Sequence, residues 1–227
     1  MANSFAKLGA IALVVTALAG CSSTSTSSNM TVGAPTANLA SASGQVSFTP
    51  WSGQSAVGIL DKPYFMSFRA RNAESYGHSF VAFGQLDSTG RVPYDRSGVL
   101  VPSMVDIAGF WPEGGPGMYS MGHLVPVPSG TGPTDGDTEI AYLQNEMTIP
   151  LTAAQYQRLS AFVREKQAGL KLWSAVAYNC SSFNNDVAEF MGMRGVNHLY
   201  LPRNWVAAFK KANPRVETIP GGVDITS

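Results

Sequence analysis

The sequence predicts an α+β domain in which an antiparallel sheet packs against a helix bearing a cysteine. Three observations carry this. Tyr64–Arg71 and His78–Leu86 are aromatic and β-branched runs joined by the short polar turn Asn72–Tyr76, the pattern of paired strands. Thr152-Ala153-Ala154-Gln155 has the spacing of a capping box ahead of an apolar stripe made by Tyr156, Leu159, Phe162 and Val163. Phe183, Val187, Phe190 and Met191 fall at i, i+4, i+7 and i+8, one face of a helix whose first turn holds Cys180.

Residues 1–20 carry one lysine, Lys7, ahead of an uncharged apolar run from Leu8 to Leu18. The run is short for a membrane span and is laid out like a secretory signal. Leu18-Ala19-Gly20-Cys21 resembles a bacterial lipobox, which makes Cys21 the lipidated first residue of the mature chain; a plain cleaved signal with an incidental cysteine is the alternative. Ser22 in place of aspartate resembles lipoproteins sorted to the outer membrane of Gram-negative bacteria, lipid-anchored and facing the periplasm. Residues 21–48 then form the lipidated cysteine and a Ser/Thr/Ala-rich tether. From Ser22 to Gly44 there is no charged residue, and such a stretch cannot bury enough surface to offset its ordering entropy. Residues 49–227 remain as one folded domain.

Within that domain, Gln45–Phe48 at its border and Ala56–Leu60 read as short edge strands. After His78–Leu86, Asp87-Ser88-Thr89-Gly90 is a turn, and Arg91–Leu100 returns as a strand or irregular edge. His78, Phe80, Ala82 and Gly84 share one strand face, on which the two small residues leave room for a close-packed helix. Pro102–Gly136 reads as loop, and Phe110-Trp111-Pro112-Glu113-Gly114-Gly115-Pro116-Gly117 as too punctuated by Pro and Gly for a regular element. This aromatic loop is either a wall of a binding site or a surface loop with two aromatics tucked inward. Strands are expected at Leu124–Val127 and Glu146–Leu151. The helix opened at Thr152 ends at Gly169, and a last helix runs from Pro202 to Ala212 with Trp205, Ala208 and Phe209 inward.

Charge and cysteine content narrow the function. The net charge is zero and charged residues make up 13% of the chain, so there is no basic footprint for nucleic acid. With Cys21 lipidated, Cys180 has no partner for an intramolecular disulfide and is either buried or used. A thiol at a helix start lies beside unpaired N–H groups and the positive end of the dipole, which favour the thiolate. Ser181 and Ser182 suit that helix start and Gly192 its end. Cys180, three residues before Phe183, points to the buried side, where a partner on a sheet can meet it.

Gly77-His78-Ser79-Phe80-Val81-Ala82-Phe83 on a strand, followed about a hundred residues later by Tyr178-Asn179-Cys180-Ser181-Ser182-Phe183 opening a helix, resembles the circularly permuted branch of papain-like hydrolases. These are the NlpC-type enzymes and their lecithin-retinol-acyltransferase-like relatives. The resemblance covers Tyr64 to Gly192. It implies a permuted papain-like (NlpC-type) fold, Cys180 as nucleophile and His78 as general base. It also implies a third polar residue that orients the histidine. Asp95, Gln85 and Glu113 are the candidates; Gln85, at an odd separation from His78, points to the opposite face, which favours Asp95, although Asp95 also reads as an acidic turn residue beside Arg96. Tyr178, beside the cysteine, and Trp111, in the aromatic loop, are the candidate substrate contacts. His123 and His198 show none of the short fixed spacings of a metal site, and no cofactor is implied. The implied substrate is a cell-wall stem peptide, within reach of a tether of about twenty residues, or an acyl group on a lipid. A non-catalytic envelope lipoprotein is the rival from another class. The membrane partner is reached through the N-terminal lipid.

Overall fold

The computed structural model describes residues 61–221 apart from Glu74 and Leu170, so the signal segment, Cys21, the tether and the short strands expected at 45–48 and 56–60 lie outside the described residues. In chain order the elements are β1 (Tyr64–Arg71), β2 (His78–Gln85), β3 (Val105–Ala108), β4 (Phe110–Pro112), α1 (Gly115–Met121), β5 (Val127–Thr131), β6 (Leu143–Leu151), α2 (Ala153–Gly169), β7 (Leu172–Trp173), α3 (Cys180–Phe190) and α4 (Pro202–Ala212). They make an α+β structure. One antiparallel sheet has the order β3-β2-β1-β6, and a smaller one the order β4-β5-β7.

Alternation along β1 sends Met66, Phe68 and Ala70 to one face of the larger sheet and Phe65, Ser67 and Arg69 to the other. On the first face they join Val81, Met147 and Ile149 and are covered by Leu159 of α2, Phe183 and Val187 of α3, and Trp205 and Phe209 of α4, all buried. The second face is covered by loops: Phe65, Phe80 and Ala82, with Val105 of the neighbouring β3, pack with Leu86, Val92 and Leu100. Arg69 is buried on that face too, where its charge is met by Glu146 at 3.1 Å and by the Tyr94 hydroxyl at 2.7 Å. The space beside Ala82 and Gly84 is therefore not filled by a helix, as the residue sizes suggest. A Cβ on Gly84 would stand 2.0 Å from the Met104 carbonyl oxygen, so the glycine admits loop backbone instead, and the helices lie on the opposite face.

Three further expectations are corrected. Arg91–Leu100 makes only isolated bridges, Tyr94 with Leu100 and Val99 with Glu139, and the strand beside β2 is Val105–Ala108. The Phe110–Gly117 segment is regular after all: β4 is three residues long, Gly114 and Gly115 turn the chain at φ 102° and 81°, and Pro116 stands in the first turn of α1, where its missing N–H costs nothing. The strand expected at Leu124–Val127 starts only at Val127, leaving Leu124 and Val125 exposed. The helices follow their local signals more closely. Gln155 Oε1 accepts from the Thr152 N–H at 2.9 Å and the Gln155 N–H donates to Thr152 Oγ1 at 3.3 Å, the reciprocal box that opens α2.

Candidate active site

Helix α3 begins where Asn179 stops being helical. Its side-chain oxygen accepts from the N–H groups of Ser181 and Ser182, at 2.9 and 3.1 Å, and the Ser182 hydroxyl accepts from the Asn179 N–H at 3.1 Å. The cap is thus Asn179 rather than either serine. Its amide nitrogen also donates to the carbonyls of Ala175 and His198, tying the helix start to the turn before it and the loop after it. Cys180 is the first helical residue, half-buried, at the positive end of the helix. With the next two amides committed to Asn179, the Cys180 N–H has no hydrogen-bond partner among the described residues and is available to a bound oxyanion.

His78 stands first on β2 and is buried. Burial pushes the Cys180 thiol up, but the hydrogen bond and charge of His78, with hydrogen bonds from the Ser79 hydroxyl and backbone, outweigh it and bring the thiol down to about 7. The imidazole Nε2 lies 3.9 Å from Asp137 Oδ2, near enough to feel its charge but too far for a hydrogen bond. Close approach of α3 to β2 rests on small residues: the hydroxyls of Ser79 and Ser181, both buried, meet at 3.1 Å.

The carboxylate beside His78 is therefore Asp137, not Asp95. Asp95 is exposed, and its Oδ1 is taken by the N–H groups of Ser97 and Val99 and by the Ser97 hydroxyl, which hold its pKa down as a closed turn. Asp137 is fully buried; it pairs with Arg71, and its Oδ2 accepts from the Thr134 N–H and hydroxyl at 2.7 and 2.9 Å. Gln85 lies at the far end of β2, and Glu113 is exposed. The sequence held one pointer to Asp137. Arg71 pairs directly across from His78, and an arginine there calls for a carboxylate, but the Gly132–Asp137 loop offers two.

A cleft of about 240 Å³ opens above Cys180, walled by Phe110, Trp111, Tyr119, Trp173, Val176 and Leu199. Trp111, expected as a substrate contact, is one of these lining residues. Tyr178 is not: its ring packs edge-on against Phe110, and its hydroxyl donates to Asp186 at 2.7 Å, so burial and that carboxylate raise its pKa. Tyr178 is part of the scaffold. His123 and His198 both line the cleft, each with one ring nitrogen on a backbone carbonyl, of Tyr119 and Val176 respectively, at 3.0 Å. Among the described residues, no Asp, Glu, Lys or Arg lines it.

Compared with protein-family models, curated proteins and solved structures, the chain finds no match.

Proposed function

We propose that this chain is a cysteine acyl hydrolase of the permuted papain-like kind, with Cys180 as nucleophile, His78 as base and then acid, and Asp137 as the group that orients the imidazole. The observation that carries the reading is the helix-start thiol held near neutrality by an imidazole from the facing strand. His78 takes the thiol proton as sulfur attacks the carbonyl carbon. The C–S bond forms, the C–O or C–N bond to the leaving group breaks, and the proton passes to that group. Water then attacks the thioester, giving its proton to His78, and the carboxylic acid and the thiol are regenerated. The Cys180 N–H holds the oxyanion in both steps.

Of the two substrates the resemblance implies, the cleft favours the acyl lipid. A cell-wall stem peptide brings free carboxylates and amines, and among the described residues nothing charged lines the cleft to meet them. Aromatic and aliphatic walls suit an alkyl chain or an uncharged ester. The lipid expected on Cys21 places such substrates within tether reach.

The test is intact-mass spectrometry of the protein mixed with a series of acyl 4-nitrophenyl esters and, separately, with a cell-wall peptide. A transient acyl adduct on Cys180, absent in Cys180→Ser and slowed in His78→Ala, is expected with the esters. Turnover that survives Cys180→Ser refutes the reading.

A further inference from the structure

Ten large apolar side chains stay exposed among the described residues; five of them, Tyr76, Val176, Leu199, Tyr200 and Leu201, line the cleft, and Met121, Leu124 and Val125 flank its lining residue His123 in sequence, a concentration that random surface exposure does not give. They come from four segments. Met121, Leu124 and Val125 lie at and after the end of α1, and Val176 lies in the turn ahead of α3. Leu199, Tyr200 and Leu201 lead into α4, and Tyr76, ahead of β2, packs on Tyr119 and His123. The segments are joined side by side: the Ala175 N–H donates to the Gly122 carbonyl at 3.0 Å, and the His198 ring meets the Val176 carbonyl at 3.0 Å. Leu124, 86% exposed, projects furthest into solvent.

Three of the four segments hold no ionised residue; the fourth, ahead of β2, carries Glu74 two residues before Tyr76. Residues 114–134, 172–185 and 195–202 contain no Asp, Glu, Lys or Arg. A face this apolar, sparsely charged and aromatic has the makings of an interfacial surface, with tyrosine and histidine placed where apolar and wet regions meet.

From these observations we infer that this face docks on a lipid bilayer and that the cleft receives its substrate from the membrane surface. What decides for a bilayer is the cleft itself, which opens within the face. A protein seated there would cover Cys180, whereas a bilayer delivers acyl chains to it. The shortage of charge makes the docking hydrophobic, so it needs no anionic lipid and has little salt sensitivity. The choice of a bilayer over a protein partner rests on the proposed hydrolase; the apolar face itself does not.

The experiment is co-sedimentation of the chain from Ser22, which keeps every described residue and lacks Cys21, with phosphatidylcholine vesicles. Binding is expected without anionic lipid and unchanged in about 0.5 M NaCl. Leu124→Asp with Val125→Asp, both exposed and outside the cleft lining, is expected to weaken it at least about tenfold, and Cys180→Ser to leave it as it is. Circular dichroism and alkylation of Cys180 in the double variant check that fold and thiol are intact. No binding to these vesicles, binding abolished by salt, or equal binding by the double variant overturns the inference. So does a dimer of the free chain that the double variant dissociates, since a second copy then covers the face. Vesicle binding by a protein whose Cys180 proves inert upholds the docking and removes the hydrolase reading instead.

Discussion

Replacing His78 by alanine tests the centre of the mechanism, and its effect can be worked out from the site. In the wild type, burial pushes the Cys180 thiol up and His78 with Ser79 pulls it down to about 7. At pH 6 a thiol of that pKa is about one-tenth thiolate. Without the imidazole, burial is opposed only by Ser79 and the helix start, and the pKa returns to the ordinary value of ~8.5 or above. The thiolate fraction at pH 6 then falls at least about thirtyfold. A more basic thiolate is a better nucleophile by about fivefold over this range, so the net loss in rate is about sixfold or more. Near pH 8 the two rates cross, and above pH 9 His78→Ala reacts faster by up to about fivefold, because its more basic thiolate is then largely ionised. The assay is iodoacetamide modification of Cys180 followed by mass spectrometry from pH 5 to 9. Labelling with its midpoint near 7 in the wild type, moved to alkaline pH in His78→Ala, is the expected result. A midpoint above 8 that the substitution does not move refutes the pairing of Cys180 with His78.

Three other substitutions read the surroundings of that pair. Asp137→Asn leaves the half-buried Arg71 guanidinium without its charge partner, so stability should drop by about 3 kcal/mol in urea unfolding, and the alkylation midpoint should change as the imidazole loses its orienting charge. Gly109→Ala puts a methyl group 2.8 Å from His78 Nε2 and 2.9 Å from the Gly132 carbonyl oxygen; labelling at pH 6 should fall severalfold while circular dichroism reports a retained fold. Asn179→Ala removes the cap of α3 and its ties to Ala175 and His198, a loss of about 2 kcal/mol measured by denaturant unfolding.

What the sequence made legible was local. A capping box, a 3.6-residue stripe and two alternating runs each express themselves within a few residues, so β1, β2, α2, α3 and α4 follow from them. Cys180 and His78 were legible because each sits at the end of such an element. Asp137 was hidden because nothing within its Gly- and Pro-rich loop specifies where the loop travels, and only the tertiary fold sets it beside Arg71 and His78. Tyr178 was misassigned for the same reason: proximity in sequence to Cys180 says nothing about the side of the strand end on which a ring lies, and Asp186, one turn and a half into α3, claims its hydroxyl. The regularity of Phe110–Met121 was missed because Pro and Gly were read as breakers, whereas Pro116 and Gly114 stand where a helix start admits them.

The site joins the start of a strand to the start of a helix, and both starts are held by groups that would serve the proposed chemistry as well as the fold. Asn179 takes the second and third amides of α3 into its cap, which fixes the helix and leaves the Cys180 N–H without a partner among the described residues. Asp137 neutralises Arg71 at the end of β1 and by the same placement faces the imidazole across the hairpin register. Ser79 and Ser181 keep the helix close to the strand, and Ser79 also hydrogen-bonds the sulfur. A protein needing only a stable helix start has no use for a thiol held near neutrality beneath an open apolar cleft. The same capping, pairing and close packing that stabilise the fold are aimed here at one sulfur atom, and that is why the thiol is better explained as used than as merely buried.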